Sequence, residues 1–391
     1  MSQKSEKSFL LRNARVVLPK HVIEDGAILI EDGRIASIKQ LPGRLRENEL
    51  DLQNLTVYPG LIDVHIHGAV GVDTMDASAS DLDRVSQFLT TRGVTGWLPT
   101  LVPAPNADYE RSVKAIDYAM KSHRGARILG VHYEGPFVNA AQCGALRTRF
   151  FRTFSGINDV DDLPVLERKA ARHMMTVAPE IDGGVELVSH LHRRGWVVSI
   201  GHTSATFDIL DKAFVGGARH MTHFMNAMTP LHHRSPGPVA WGLSRDEVTC
   251  DVIADGIHLD PKMLRLLVKL KGANRLALIS DAVAAASMSD GDYKIWGETI
   301  TVKEGRTSNA AGSIAGSVIT MIDAARMMLS LGVSEVDVAR MAGTNPARLV
   351  GMDQDCGAIE EGKRADLIAV NAQGKVVLTI INGSIVFDDR S

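Results

Sequence analysis

Between Tyr58 and Asp73 the chain reads YPGLIDVHIHGAVGVD, and at its centre two histidines, His65 and His67, are separated by one isoleucine. Leu61, Ile62 and Val64 make the preceding run β-prone, and Pro59-Gly60 in front and Gly68 behind punctuate it as a short strand. Residues two apart on a strand share a face and sit about 6.6 Å apart, so both imidazoles can turn toward one cation. An isolated pair of this kind is more often two polar strand residues, so its meaning depends on partners elsewhere in the chain.

Four further groups end β-prone runs: Glu134 in GVHYEGPF, His202 in IGHTSA, His223 in THFMNAM and Asp281 in ISDA. Imidazoles with a carboxylate suit a borderline divalent ion such as Zn²⁺ or Fe²⁺, and a site of few protein ligands leaves a position open for water. Such water has its pKa lowered toward ~7 and becomes a nucleophile at neutral pH, the chemistry of metal-assisted hydrolysis. Asp281, beside the ion rather than tightly bound to it, is the candidate to take the proton and return it to a leaving amine. Asn226, His232, His233 and Arg234 in FMNAMTPLHHRSPGP, with His258 in ADGIHL, form a second polar group suited to an anion, since a guanidinium contacts phosphate bidentately.

A scaffold must bring these groups together. Eight β-prone runs alternate with longer helical patterns: Leu61 to His67, Gly96 to Leu101, Ile128 to Glu134, Met175 to Glu180, Val197 to His202, His220 to Met225, Cys250 to Asp255 and Leu276 to Asp281. The helical stretches DLDRVSQFLTTRG, VELVSHLHRRG, MLRLLVKLKG and MIDAARMMLSLG each end in a glycine suited to a C-cap. Eight βα units predict an α/β fold, a (β/α)8 TIM barrel over 59–350, whose active site lies at the C-terminal strand ends where the six groups fall. The flanking segments, 1–58 and 351–391, read as short alternating strands with turn signals at Asp32-Gly33, Gln373-Gly374 and Asn382-Gly383. They predict one small β-sandwich domain formed by both ends of the chain.

Bulk composition excludes several classes. The 391 residues are 45% hydrophobic, enough for a large core. The 43 basic and 46 acidic residues are scattered, with a net charge of -3, so no basic stripe points to nucleic acid or membrane lipid. Cys143, Cys250 and Cys356 are odd in number and unpaired in spacing, which argues against a disulfide framework or a thiolate zinc site and fits the cytoplasm. The N-terminal MSQKSEKSFLLRNARVVLPK is charged and lacks a signal-peptide core, and no apolar run approaches the ~18 residues of a membrane span.

With these residues in place, the chain resembles the amidohydrolase superfamily and, within it, the N-acetylglucosamine-6-phosphate deacetylase family. The motifs appear in order as YPGLIDVHIHG, LPTL, HYEGPFVN, VAPE, GHTSA, THFMNAM, ADGIHL, SDA, AGS, GTNPARLVG and GAIEEGKRADLIAV. The resemblance implies that Glu134, His202 and His223 are the principal metal ligands and that Asp281 is the catalytic acid/base. It implies that Asn226, Ala227, Arg234, His258, Ala145, Leu146 and the segment Ile314, Ala315 and Gly316 contact an amino sugar phosphate. Arg234 would reach into a neighbouring subunit's site, implying a homodimer or higher homo-oligomer. If His65 and His67 also ligate, with Glu134 bridging, the rim accepts one or two ions. One departure stands out: Leu146 occupies the place of a substrate-contacting histidine, and a leucine cannot donate that hydrogen bond. The implied reaction is removal of acetyl from N-acetylglucosamine 6-phosphate; the alternative is another N-acyl amino sugar phosphate or N-acyl amine. A catalytically silent scaffold is disfavoured, because the ligands and Asp281 are retained together.

Overall fold

The computed structural model describes residues 8–40, 49–121 and 125–390. Residues 1–7, where the N-terminal segment read as lacking a signal-peptide core begins, and 41–48, inside the predicted N-terminal β segment, lie outside the described residues.

Eight parallel strands follow one another around a barrel: Leu61–Ile66, Val94–Leu101, Gly130–Glu134, Arg172–Val177, Val197–Ile200, His220–Met221, Thr249–Ile253 and Leu276–Ile279. Most of their residues are buried, because helices cover the outer face and side chains fill the interior. The last and first strands meet through a buried carboxylate. Asp63 accepts from the Ser280 hydroxyl at 2.5 Å and from the Ser280 and His65 N–H groups at 3.3 Å, while the Asp281 N–H donates to the His65 carbonyl at 2.9 Å. Burial pushes the Asp63 carboxyl up to about 6, against the hydrogen bonds from Ser280 and His65 that favour its charged form.

The four helical stretches read from the sequence form Ala79–Thr91, Gly184–Arg193, Pro261–Lys271 and Met321–Ser330. The glycines that follow them, Gly93, Gly195, Gly272 and Gly332, all take left-handed φ near the helix ends. Several strands are broken, shifted or shortened relative to their apolar runs. The third run breaks at Leu129, the fourth strand is Arg172–Val177 rather than Met175 to Glu180, and the sixth is only His220–Met221. The cause at the sixth is backbone conformation: His223 and Met225 have φ of 30° and 76°, which ends pairing. A three-stranded antiparallel sheet, Gly291–Ile295, Glu298–Lys303 and Arg306–Ser308, follows the eighth strand and has no counterpart in the sequence reading.

Both chain ends build one eight-stranded sheet, in the order Ser384–Asp388, Val376–Ile381, Leu367–Val370, Thr56–Pro59, Phe9–Val17, Val22–Glu31 and Arg34–Gln40, with Glu49–Asp51 pairing Phe9–Val17. Leu11, Ile28, Ile35, Val57, Leu367 and Leu378 fill its own core. The sheet turns back on itself, for Ile35 N–H donates to the Lys363 carbonyl and Ala365 N–H to that of Gly33, both at 2.9 Å. Asp32-Gly33 and Asn382-Gly383 make the predicted tight turns, each with two left-handed residues. No helix among the described residues is long and apolar enough to cross a membrane.

Small sheet and barrel are joined by charge as well as by chain. Arg15 grips Glu335 with two nitrogens, at 2.5 and 2.7 Å, and the Tyr58 hydroxyl donates to the same carboxylate at 3.0 Å. The hydrogen bond from Arg15, against partial burial, holds the Glu335 carboxyl below its ordinary 4.5. A carboxylate depressed in the folded state stabilises the fold above its unfolded pKa, and that contribution is lost as pH falls through the folded value. Glu335→Gln is therefore expected to lower stability at neutral pH by about 1 kcal/mol, the scale of a half-exposed pair. Thermal melts of parent and variant should converge as pH drops below 4.5; a deficit that persists unchanged in acid would refute this linkage.

Candidate metal centre and active site

Each of the six groups stands at or just beyond the C-terminal end of its strand. His65 lies in the first strand and His67 directly after it, and Glu134 ends the third. His202, His223 and Asp281 each sit two residues past their strands, with left-handed φ of 47°, 30° and 50°. That conformation swings the side chains over the barrel mouth and costs of order 1–3 kcal/mol for a non-glycine residue, so neighbouring bonds must hold it. They do: His223 N–H donates to the buried Asp251 carboxylate, Phe224 N–H to the Asp251 carbonyl at 2.9 Å, and Ser317 N–H to the Asp281 carbonyl at 2.7 Å.

Glu134 is the centre of the cluster. Its Oε1 lies 3.0 Å from His202 Nε2, 3.0 Å from His223 Nε2 and 3.6 Å from His65 Nε2, and its Oε2 lies 3.2 Å from His67 Nε2. Asp281 Oδ1 approaches His67 and His65 Nε2 at 3.2 and 3.4 Å. All six side chains are buried. Burial alone would raise the Glu134 carboxyl, but the surrounding imidazoles, His65 foremost, hold it well below the usual range; Asp281 is lowered in the same way. Burial would likewise lower the imidazoles, yet Asp281 and Glu134 push His67 up to about 10, and Glu134 pushes His223 up to about 9. The cluster is a cage that favours positive charge.

The donor set fits a metal ion. His202 Nδ1 donates to the Gln142 carbonyl at 2.8 Å and His67 Nδ1 to that of Thr100 at 3.3 Å, so in the neutral rings the Nε2 lone pairs face the Glu134 oxygens. These Nε2 atoms and the carboxylate hold together only with positive charge between them, a role a metal ion fills in place of protons. His65 and His67 Nε2 are 3.1 Å apart, as are His202 and His223 Nε2, the spacing of adjacent nitrogens on an ion with bonds of about 2.0–2.1 Å. Two groups with donor atoms mutually within 4.8 Å result, His65–His67–Glu134 and Glu134–His202–His223, with Glu134 common to both.

Beside them opens a cavity of about 310 Å³. Ala145, Leu146, Asn226, Ala227, His258, Ile314 and Gly316 border it together with His67, Glu134, His202, His223 and Asp281. His258 is oriented by Asp255, whose carboxylate accepts from Nδ1 at 2.7 Å. Ala315 is fully buried and does not border the cavity. Arg234 lies on an exposed loop outside it, with Nη1 2.8 Å from His233 Nε2. Three lining residues, Gly144, Trp296 and Ser313, were not anticipated from sequence. Trp296 carried little local signal: only Gly297 marks a turn between alternating runs, and nothing nearby says where that turn points.

Because Glu134 is shared, replacing His65 and His67 together with non-coordinating alanine is expected to lower metal content from about two ions per chain to about one, read by elemental analysis. Unchanged stoichiometry would leave the pair as polar strand residues.

Residues 56–386 match the model of the amidohydrolase family. The N-acetylglucosamine-6-phosphate deacetylase of Bacillus subtilis (strain 168) is 36% identical, the match covering 97% of this chain and 98% of that one. The N-acetylgalactosamine-6-phosphate deacetylase of Escherichia coli O157:H7 is 34% identical, over 93% of this chain and 95% of the relative. Among solved structures, the Pasteurella multocida N-acetylglucosamine-6-phosphate deacetylase superposes with a TM-score of 0.89 at 28% identity, covering 97% and 99% of the two chains. A mutant of the Mycobacterium smegmatis enzyme in complex with N-acetyl-D-glucosamine-6-phosphate gives 0.88 at 30% identity, again over 97% and 99%. Matching the family model over most of its length, and relatives at more than 30% identity over nearly all of it, the chain belongs to the amidohydrolase superfamily and, within it, to the N-acetylglucosamine-6-phosphate deacetylase family.

Proposed function

We propose that this protein hydrolyses the amide of N-acetylglucosamine 6-phosphate, giving glucosamine 6-phosphate and acetate in amino sugar catabolism. The observation that carries the reading is the convergence of Glu134, His67, His202, His223 and Asp281 at the floor of one cavity, with His65 buried against them. A bound divalent ion, Zn²⁺ or Fe²⁺ by the donor set, supplies Lewis acidity toward the acetyl carbonyl and lowers the pKa of water. Glu134, His202 and His223 would hold it, and His65 and His67 together with Glu134 would hold a second ion were two bound.

Asp281 is the acid/base. Its carboxyl is held ionised by the adjacent imidazoles, so it accepts the proton of the attacking water. As the C–O bond forms and the C–N bond breaks, the same carboxyl returns that proton to the departing amine nitrogen. Asn226, Ala227 and His258 orient the sugar phosphate at the mouth. Arg234, exposed and outside its own cavity, is assigned to a neighbouring subunit's phosphate, which makes the working form at least a homodimer. The cytoplasm is the assigned compartment, where three free cysteines remain reduced.

Leu146 favours a second substrate reading, because it places an apolar side chain in the cavity where the family resemblance implies a histidine donor. Acetate release from N-acetylglucosamine 6-phosphate, its galacto epimer and both unphosphorylated sugars separates the two. Turnover of the gluco phosphate ahead of the others is expected; turnover only of the other compounds, with metal replete, would refute the assignment. Asp281→Asn should lose activity by about 10²–10⁴-fold with metal content near that of the parent. Near-normal turnover in that variant would remove Asp281 from the proton path.

A further inference from the structure

The three-stranded sheet that follows the eighth barrel strand ends one of its turns inside the cavity. Ile295 pairs with Glu298, so Trp296-Gly297 is a two-residue hairpin loop. Both residues are left-handed, with φ of 53° and 76°, the pattern of a type I′ turn in which asparagine, aspartate or glycine normally comes first. A bulky aromatic at positive φ is an outlier that persists only where its surroundings hold it, and such outliers gather at functional sites.

The surroundings of Trp296 are the reaction centre. Its ring meets that of His67 edge to face, with centroids 5.0 Å apart and planes at 78°. The residue is 7% exposed, borders the cavity, and has a buried indole N–H with no partner. Leu146 extends the same apolar lining: a Cβ at Gly297 would lie 3.8 Å from the Arg147 guanidinium, which places the turn beside that segment.

Position around the barrel distinguishes what Trp296 faces. The polar groups suited to the sugar phosphate, Asn226 and His258, come from the loops after the sixth and seventh strands. Trp296 comes from beyond the eighth strand and rests on His67, just past the end of the first. A substrate with its phosphate toward the polar side and its carbonyl at the metal cluster directs its acyl substituent to the opposite side. We propose that Trp296 forms the wall of the acyl subsite and limits the length of the acyl group removed, an inference that rests on the amide-hydrolase reading above.

The test is a series of N-formyl, N-acetyl, N-propionyl and N-butyryl glucosamine 6-phosphates assayed with the parent enzyme and with Trp296→Ala, Trp296→Leu and Trp296→Phe. One methylene in an apolar pocket is discriminated by roughly 10–200-fold, so Trp296→Ala should raise the propionyl-to-acetyl ratio of kcat/KM by about tenfold or more. Trp296→Leu should give a smaller rise and Trp296→Phe the smallest, with metal content equal to the parent's. If the alanine variant does not fold, the leucine variant carries the comparison. In an Asp281→Asn background, calorimetry should show the same shift in binding of the propionyl compound without turnover. A ratio within about twofold of the parent's in a folded, metal-replete variant overturns the acyl wall while leaving the hydrolase reading standing. Failure of the parent on the whole series overturns the assignment to glucosamine 6-phosphate amides and this inference with it.

Discussion

A buried carboxylate surrounded by imidazoles sets the terms for the rest of this molecule. Glu134 has three imidazole nitrogens within 3.2 Å and a fourth at 3.6 Å, and every member of the group is buried. Removing charges from water costs several kcal/mol per ion unless partners compensate, so the cluster is sustainable only as a precisely closed arrangement around positive charge. The family to which the chain belongs is metal-dependent, and the lone-pair directions set by Gln142 and Thr100 fit that chemistry.

Beneath the cluster lies a second polar layer whose purpose is support. His132 packs edge-on against His65 with centroids 4.6 Å apart and contacts the Thr176 hydroxyl at 2.9 Å; Thr176 bonds Thr222 at 2.8 Å, and Thr222 bonds Ser199 at 2.5 Å. Burial and neighbouring imidazoles hold His132 well below its ordinary pKa, so it stays neutral and adds no competing charge. Asp251 anchors the strained backbone of His223 while its other oxygen meets His220 Nε2 at 3.0 Å. These polar groups occupy positions that a purely apolar barrel would fill with aliphatic chains, and their mutual hydrogen bonds offset the cost of burying them.

The small sheet contributes through the strand it launches. Thr56–Pro59 pairs within that sheet, and the chain enters the first barrel strand one residue later. Gly60 is the pivot, since a Cβ there would lie 2.3 Å from the Thr95 side chain. Arg127 to Asp366 at 2.5 Å and Arg15 to Glu335 fasten the same junction from two sides. The registration of His65 and His67 is thus tied to a sheet built from both ends of the chain.

Much of this was legible in the residues. Apolar runs alternating with helical patterns indicate parallel βα units, because a strand buried on both faces must be apolar throughout, and strand ends follow as the place to look for His65, His67, Glu134, His202, His223 and Asp281. The tight turns and C-cap glycines were equally local, since each depends on the φ that one residue can adopt. Other features were not legible. Asp63 closes the barrel on Ser280, 217 positions away, and nothing near either residue announces the other. The left-handed backbone at His202, His223 and Asp281 is imposed by long-range bonds rather than by local preference. Trp296 reaches His67 only because a hairpin folds over the barrel mouth. Local sequence encodes periodicity, turn conformation and chemical type; which groups share a coordination sphere depends on packing between residues far apart in the chain, and that is a property of the closed barrel.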